Sequence, residues 1–314
     1  MKRIIPCVLI TLALILAGSY LPLFGFLGLM LCPVPLSILG CLEGRRNMSV
    51  AELMIEATLF LAISPSLAVY FLIGCAPVSA VVFMLSQESF RDVKKLTGGE
   101  SYVICAGASI LFKTLLIWLF WYFTGKNILF PDAGQMSDVL SGLYGDSPEL
   151  MAALRQVMAV LPKLLPSMLV IYAGIEAFLS YSLCYSLTRK LFPDCKNYPP
   201  ELPSFTMWKF PVSILIVSAS AFVVSWLVDA GEDMAVAAFI LNLQIAANVI
   251  MFVEGVSLAF WIMEGFRLRR GAKIAVCAVM MLPLFWAWLI VMGMCDMALD
   301  MRSRIKFGER KKGQ

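Results

Sequence analysis

Residues 4–42 run for 39 positions without a charged side chain. Crossing a hydrocarbon core takes ~20 apolar residues at a rise of about 1.5 Å each, so this stretch has room for two membrane spans. Gly18 and Gly25, with Pro22 between them, mark the turn. Residues 49–86 repeat the pattern and break at Ser64-Pro65-Ser66, giving a second hairpin. Residues 103–123, 164–187, 211–228 and 234–263 each read as one span, and 273–299 is a ninth apolar segment interrupted by Pro283. The expected fold is all-α: a polytopic transmembrane bundle of eight to nine apolar segments. We read residues 1–314 as a single integral membrane domain that ends in a basic, flexible tail at 302–314.

Composition excludes the alternatives. The chain is 61% hydrophobic and 15% charged, against about 45–50% and about 25% in a soluble domain. A soluble enzyme, a nucleic-acid binder and a disordered chain are thereby ruled out. The chain contains no histidine, which removes histidine-activated nucleophiles, histidine-ligated metals and histidine proton relays. There is no H-E-x-x-H, no G-x-S-x-G elbow and no Walker A loop, so neither catalysis nor a bound cofactor or metal is expected. The nine cysteines form no C-x-x-C pair, and only Cys195 lies in a polar loop. Met1-Lys2-Arg3 and the apolar run after it imitate a signal peptide. No A-x-A site follows, and we read a retained first helix.

The placement of lysine and arginine predicts orientation. Lys2, Arg3, Arg45, Arg46, Arg91, Lys94, Lys95, Arg189, Lys190, Lys196, Lys209, Arg267, Arg269, Arg270 and Lys273 fall on one side of the proposed spans. Lys126, Arg155 and Lys163 fall on the other, among several acids. The first side, with the N-terminus, is expected to be cytoplasmic, in a bacterial inner membrane. A single crossing by 273–299 would put the basic tail outside, so a bend at Pro283 that returns it inside is the favoured reading. The largest external loop is expected to hold an amphipathic helix near 147–161. Ser147 would be its N-cap and Pro148 its first residue, with Leu150, Leu154, Val157 and Leu161 along one face.

Within the spans, charge is rare. Lys113 and Glu176 fall near the centres of two segments that flank the external loop, at comparable depth. A mid-bilayer charge costs ~2.5–3.5 kcal/mol on insertion scales, so each needs a partner, and the two are the evident pair. Such a pair is either a structural staple or a solute-binding charge. Gln244 and Asn248 share a face of the 234–263 helix, while Asn242 and Glu254 point elsewhere. Helix-to-helix bonding is the ordinary role of such groups. Glu52 and Glu56 read as interfacial, and Asp296 and Asp300 as local ion-pair partners of Arg302 and Arg304. Ala13-x-x-x-Ala17 is a small-xxx-small pattern that permits close helix approach.

Three stretches together carry a resemblance. Leu202-Pro203-Ser204-Phe205-Thr206-Met207-Trp208-Lys209-Phe210-Pro211 leads into a span. Asn242, Asn248 and Glu254-Gly255-Val256-Ser257 mark the next. Gly293-Met294-Cys295-Asp296-Met297-Ala298-Leu299-Asp300-Met301-Arg302 precedes the basic tail. The chain resembles the YybS-like family of bacterial integral membrane proteins, a family of unknown function. That family looks distantly similar to the substrate-binding components of energy-coupling-factor transporters and to the MreD cell-shape proteins. The resemblance implies helix docking through Ala13 and Ala17 onto a membrane partner. In the family a glutamine usually precedes the glycine at position 255, where this chain has Glu254.

Two functions follow as expectations. In the first, the chain is a transporter-type component without its own ATPase, binding a small solute of unknown identity at Lys113, Glu176, Gln244 and Asn248. In the second, it is an MreD-like scaffold of an envelope-associated complex. The lipid bilayer, other membrane proteins and a small solute are the expected partners, and nucleic acid is not.

Overall fold

Prolines and caps set most of the helix boundaries in the computed structural model, which describes residues 3–21, 25–88, 90, 96–125, 148–227, 234–280 and 282–305. Helix α1 (Ile4–Tyr20) is followed by α2 (Gly25–Leu31); Pro22, where the sequence puts the turn, lies outside the described residues. Pro33 opens α3 (Pro33–Glu43), and Gly44, at φ 83°, separates it from α4 (Arg45–Thr58). A π turn (Leu59–Ile63) leads to Ser64, and Pro65 opens α5 (Pro65–Tyr70). A second π turn (Phe71–Cys75) precedes α6 (Ala76–Ser86), with Pro77 in its first turn. A proline lacks the N–H that an α-helical ladder requires, so local widening around Pro77 is the expected accommodation.

A capping box starts α7 (Gly98–Thr124). The Glu100 N–H donates to the Thr97 hydroxyl at 3.3 Å, and the Thr97 N–H donates to Glu100 Oε2 at 2.8 Å. Helix α8 (Pro148–Leu191) is 44 residues long and closes on Arg189 and Lys190, cations suited to a helix C-terminus. After it come α9 (Ser213–Leu227), α10 (Met234–Gly265), α11 (Arg270–Met280), α12 (Pro283–Leu299) and the short α13 (Met301–Arg304).

Among the described residues, four helices are long and apolar enough to span a membrane: Pro65–Ser86, Gly98–Phe123, Lys163–Leu191 and Val236–Gly265. The pair α11 and α12 makes a fifth if it counts as one span, bent by 100°. These four to five candidate spans do not confirm the expected eight to nine apolar segments. Ile4–Tyr20, Leu27–Glu43 and Ser213–Val224 are apolar but short, and α4 carries Arg45, Arg46, Glu52 and Glu56. The break at Pro283 lies where the sequence puts it. The helix expected near 147–161 is not a separate element, because the backbone from Pro148 runs unbroken into the following span. Its side chains, like the tail beyond Ile305, lie outside the described residues.

Exposure identifies the solvent these helices are made for. Only 22% of the most apolar window of Gly98–Phe123 is buried, leaving Val103, Leu111, Trp118 and Phe123 open. Water-soluble monomers rarely expose contiguous apolar surface on that scale, whereas lipid covers it at no cost.

The chain divides into two compact units, Met1–Pro162 with Met168–Leu202, and Lys163–Ser167 with Pro203–Gln314. In the first, Ile15, Leu36, Ile55, Leu59 and Phe71 bring α1, α3, α4 and the helices after the π turns into one core. A second cluster, including Val82, Cys105 and Tyr181, joins α6, α7 and α8. In the second unit α10 packs on α12 through Val256, Met263 and Leu289, with Met251 and Met297 alongside. That contact is backbone-close: a Cβ at Gly255 would meet the Leu289 carbonyl oxygen at 1.8 Å, and one at Gly293 the Met251 carbonyl oxygen at 1.9 Å. Glycine is required at both positions by space alone.

Candidate polar sites within the two units

Lys113 and Glu176 meet inside the first unit. α7 carries the lysine and α8 the glutamate, and the ammonium donates to Glu176 Oε2 in a salt bridge whose side chains are 5% and 0% exposed. Lys113 also donates to the Ser109 hydroxyl at 3.1 Å, one turn back on its own helix, and to the Gly74 carbonyl at 3.2 Å. That carbonyl belongs to the π turn ahead of Pro77, so the irregular backbone presents an acceptor that a regular ladder would engage itself. Ser109 donates to the same glutamate oxygen. The Tyr172 ring lies 5.2 Å from the ammonium, and its hydroxyl is 3.2 Å from that of Tyr70. Three segments thus converge on one ion pair. Among the described residues, Glu176 Oε1 is buried with no hydrogen-bond partner.

Gln244 and Asn248 lie in the second unit, on α10, Gln244 half-buried and Asn248 exposed. Asn242, one turn before them, does a different job. Its Nδ2 donates to the Lys163 and Ala238 carbonyls at 2.5 and 2.7 Å, and its Oδ1 accepts from the Ser167 N–H at 2.8 Å. Lys163 and Ser167 are four residues apart on α8, so the amide is spliced into the helical ladder between them. Sequence spacing assigned Asn242 to helix-to-helix bonding, and the geometry specifies how.

The second polar cluster gathers residues the sequence reading kept apart. Glu254 on α10 and Asp296 on α12 are both fully buried, one and three positions from Gly255 and Gly293, where the two helices touch. Glu254 Oε2 accepts from the Phe210 N–H at 2.6 Å, and Asp296 Oδ2 accepts from Arg302 Nε at 2.8 Å. Arg302 further donates to the Thr206 carbonyl at 2.5 Å and to the Ser257 hydroxyl at 3.0 Å. Ser257 itself bonds the Phe205 and Trp208 carbonyls at 2.6 and 3.1 Å. Arg302 was expected to begin the basic tail; it is instead built into the unit, because the irregular segment 204–211 offers it carbonyls. Its pairing with Asp296 follows the sequence reading. Asp300 differs: its partner is Lys209, at 2.7 Å, and this cation holds the Asp300 carboxyl below the usual carboxylate range. An open crevice of about 540 Å³ lies alongside, lined by Lys209, Phe210, Met297 and Asp300 among others.

The remaining candidates are peripheral to both clusters. Ala13 is exposed and Ala17 half-buried on α1, whose packed face is Ile4, Cys7, Val8, Thr11 and Ile15. Glu52 and Glu56 are half-buried on α4. All nine cysteines are free, with the Cys41 and Cys184 sulfurs 3.7 Å apart. Among the described residues no cluster of three or more His, Cys, Asp or Glu side chains could hold a metal ion.

Comparison with known proteins agrees with the class of molecule. The family described as Predicted membrane protein (DUF2232) matches residues 9–297. The protein named Uncharacterized protein YybS from Bacillus subtilis (strain 168) is 23% identical over 299 residues, covering 91% of this chain and 92% of that protein. The resemblance to YybS-like proteins noted from the sequence is therefore borne out. No solved structure matches.

Proposed function

Because the chain belongs to the predicted membrane protein family DUF2232, we propose that it is the solute-binding membrane component of a transport system whose energy comes from a partner. The observation that carries this reading is the unpartnered Glu176 Oε1 beside the buried Lys113 ammonium. An ionisable pair inside membrane-length helices is costly and points to function by default. Around it stand the Ser109, Tyr70 and Tyr172 hydroxyls and the Gly74 carbonyl. These groups match a small zwitterionic or polar solute. Its anionic part would take the ammonium, and its donor would take the glutamate.

In this reading the N-terminus lies in the cytoplasm and the membrane is a bacterial inner membrane, a topology supported by the positive residues in the short connections. The Ala13/Ala17 face of α1 serves to dock a membrane partner, with Ala13 exposed for that contact. The competing scaffold reading is favoured by one observation, the closure of the pair on itself.

Ligand-dependent thermal stabilisation of the purified protein, screened against vitamins and polar metabolites, tests the proposal. A stabilising hit in the wild type that disappears in Lys113→Met/Glu176→Gln supports solute binding at the pair. No hit, together with stoichiometric co-purification of envelope proteins, overturns it in favour of the scaffold.

A further inference from the structure

We propose that Glu254 and Asp296 share one exchangeable proton, making the second unit a protonation site independent of any solute bound in the first. The cluster contains two carboxyl groups and one guanidinium, all but Arg302 fully buried. With both carboxyls ionised, it would hold an uncompensated negative charge, the costliest state for buried groups. Each carboxyl already has one oxygen engaged, Oε2 by the Phe210 N–H and Oδ2 by Arg302. The other oxygens, Glu254 Oε1 and Asp296 Oδ1, are both buried without a hydrogen-bond partner among the described residues.

A single proton resolves both deficits. Held between the two free oxygens, it gives each a partner and brings the cluster to neutrality with Arg302. The charged groups acting on Glu254 are Asp296 and Arg302. Lys209, which neighbours Phe210, is engaged by Asp300. The packed segment 205–208 supplies carbonyls that Arg302 and Ser257 occupy, and α9 carries no ionisable side chain. A metal cation fits poorly, since it needs about six or more oxygen ligands. The backbone contact at Gly255 and Gly293 also closes the neighbouring space.

Exchange with water has a short route, because Phe210 and Met297, which adjoin the two carboxyls, line the open crevice. Loss of the proton would leave two buried carboxylates facing one guanidinium.

Infrared difference spectroscopy of the full chain in lipid nanodiscs reads the proton directly. The expected result is a protonated-carboxyl stretching band at neutral pH that is reduced in Glu254→Gln and in Asp296→Asn. The double variant should lose no more of it than either single one, because one proton is shared. Wild-type and variant spectra that coincide in this region overturn the proposal. So does loss of the band on adding sodium at constant pH, which would make the site a cation site. Should a variant fail to fold, labelling of the wild type with a hydrophobic carbodiimide replaces it. An adduct mapped to Glu254 or Asp296, fading as pH rises, supports the proton. Absence of an adduct at both residues overturns it.

Discussion

The two units solve the same problem, ionisable groups among apolar helices, with opposite charge balance. In the first, one lysine meets one glutamate, and the cluster is neutral as built. In the second, one arginine faces two carboxyls, so neutrality requires something from outside the protein. The helices are also joined differently. The first unit joins α7, α8 and the π turn through the ion pair, whereas the second brings α10 and α12 into backbone contact at Gly255 and Gly293. A balanced pair fixes register; an unbalanced one creates a group that responds to pH.

Breaking the backbone contact should have the largest effect. In Gly255→Ala or Gly293→Ala the added methyl meets a main-chain oxygen under 2 Å away. The loss should exceed the ~1–3 kcal/mol of ordinary overpacking, seen as aggregation in fluorescence-detected size exclusion. Next comes Lys113→Met, which strands a buried carboxylate at a cost of about 3–5 kcal/mol. Adding Glu176→Gln should restore most of that stability, read as the unfolding temperature in detergent, because no charge then remains unpaired. If the double variant is as unstable as the single one, the neutral-pair account of the first unit is wrong.

In the second unit the asymmetry reverses the ranking of the partners. Arg302→Met should cost about 3–5 kcal/mol, whereas Glu254→Gln should cost under about 1 kcal/mol, because glutamine reproduces the protonated form in shape and donates permanently. Equal losses from the two substitutions would erase the contrast between the units.

The exposed Lys209–Asp300 pair should matter least. Its lowered carboxyl means a contribution present above the ordinary carboxylate range and lost as pH falls through the depressed value. Asp300→Asn should therefore flatten only the acid end of a stability profile.

How much of this was legible follows from what each inference needed. Lys113 and Glu176 stood out because a charge inside an apolar run is rare, and depth alone paired them. The break at Pro283 followed from local backbone chemistry. The full count of apolar segments is not confirmed, because among the described residues α1, α3 and α9 are apolar but shorter than a membrane-length helix. Glu254 was set aside for pointing away from Gln244 and Asn248. Its significance depends on Phe210 and Asp296, which are 44 and 42 positions distant, and on a non-helical segment whose path no periodicity reveals. Arg302 was paired with the nearby acids from spacing, but its bonds to the Thr206 carbonyl and the Ser257 hydroxyl lie 96 and 45 positions away and left no local signal. The Gly74 carbonyl was likewise invisible, although Pro77 was a signal that the backbone near it would be irregular.

The 63 residues that separate Lys113 from Glu176 bear on how the protein is made. Synthesis runs from the N-terminus, so α7 reaches the translocon before its counter-ion exists. For that interval the lysine must enter lipid at ~2.5–3.5 kcal/mol, a burden that the apolar residues around it in Gly98–Phe123 offset. The apolar, outward-facing surface of α7 thus serves twice: it meets lipid in the finished protein, and it ferries a charge into the bilayer before the partner arrives.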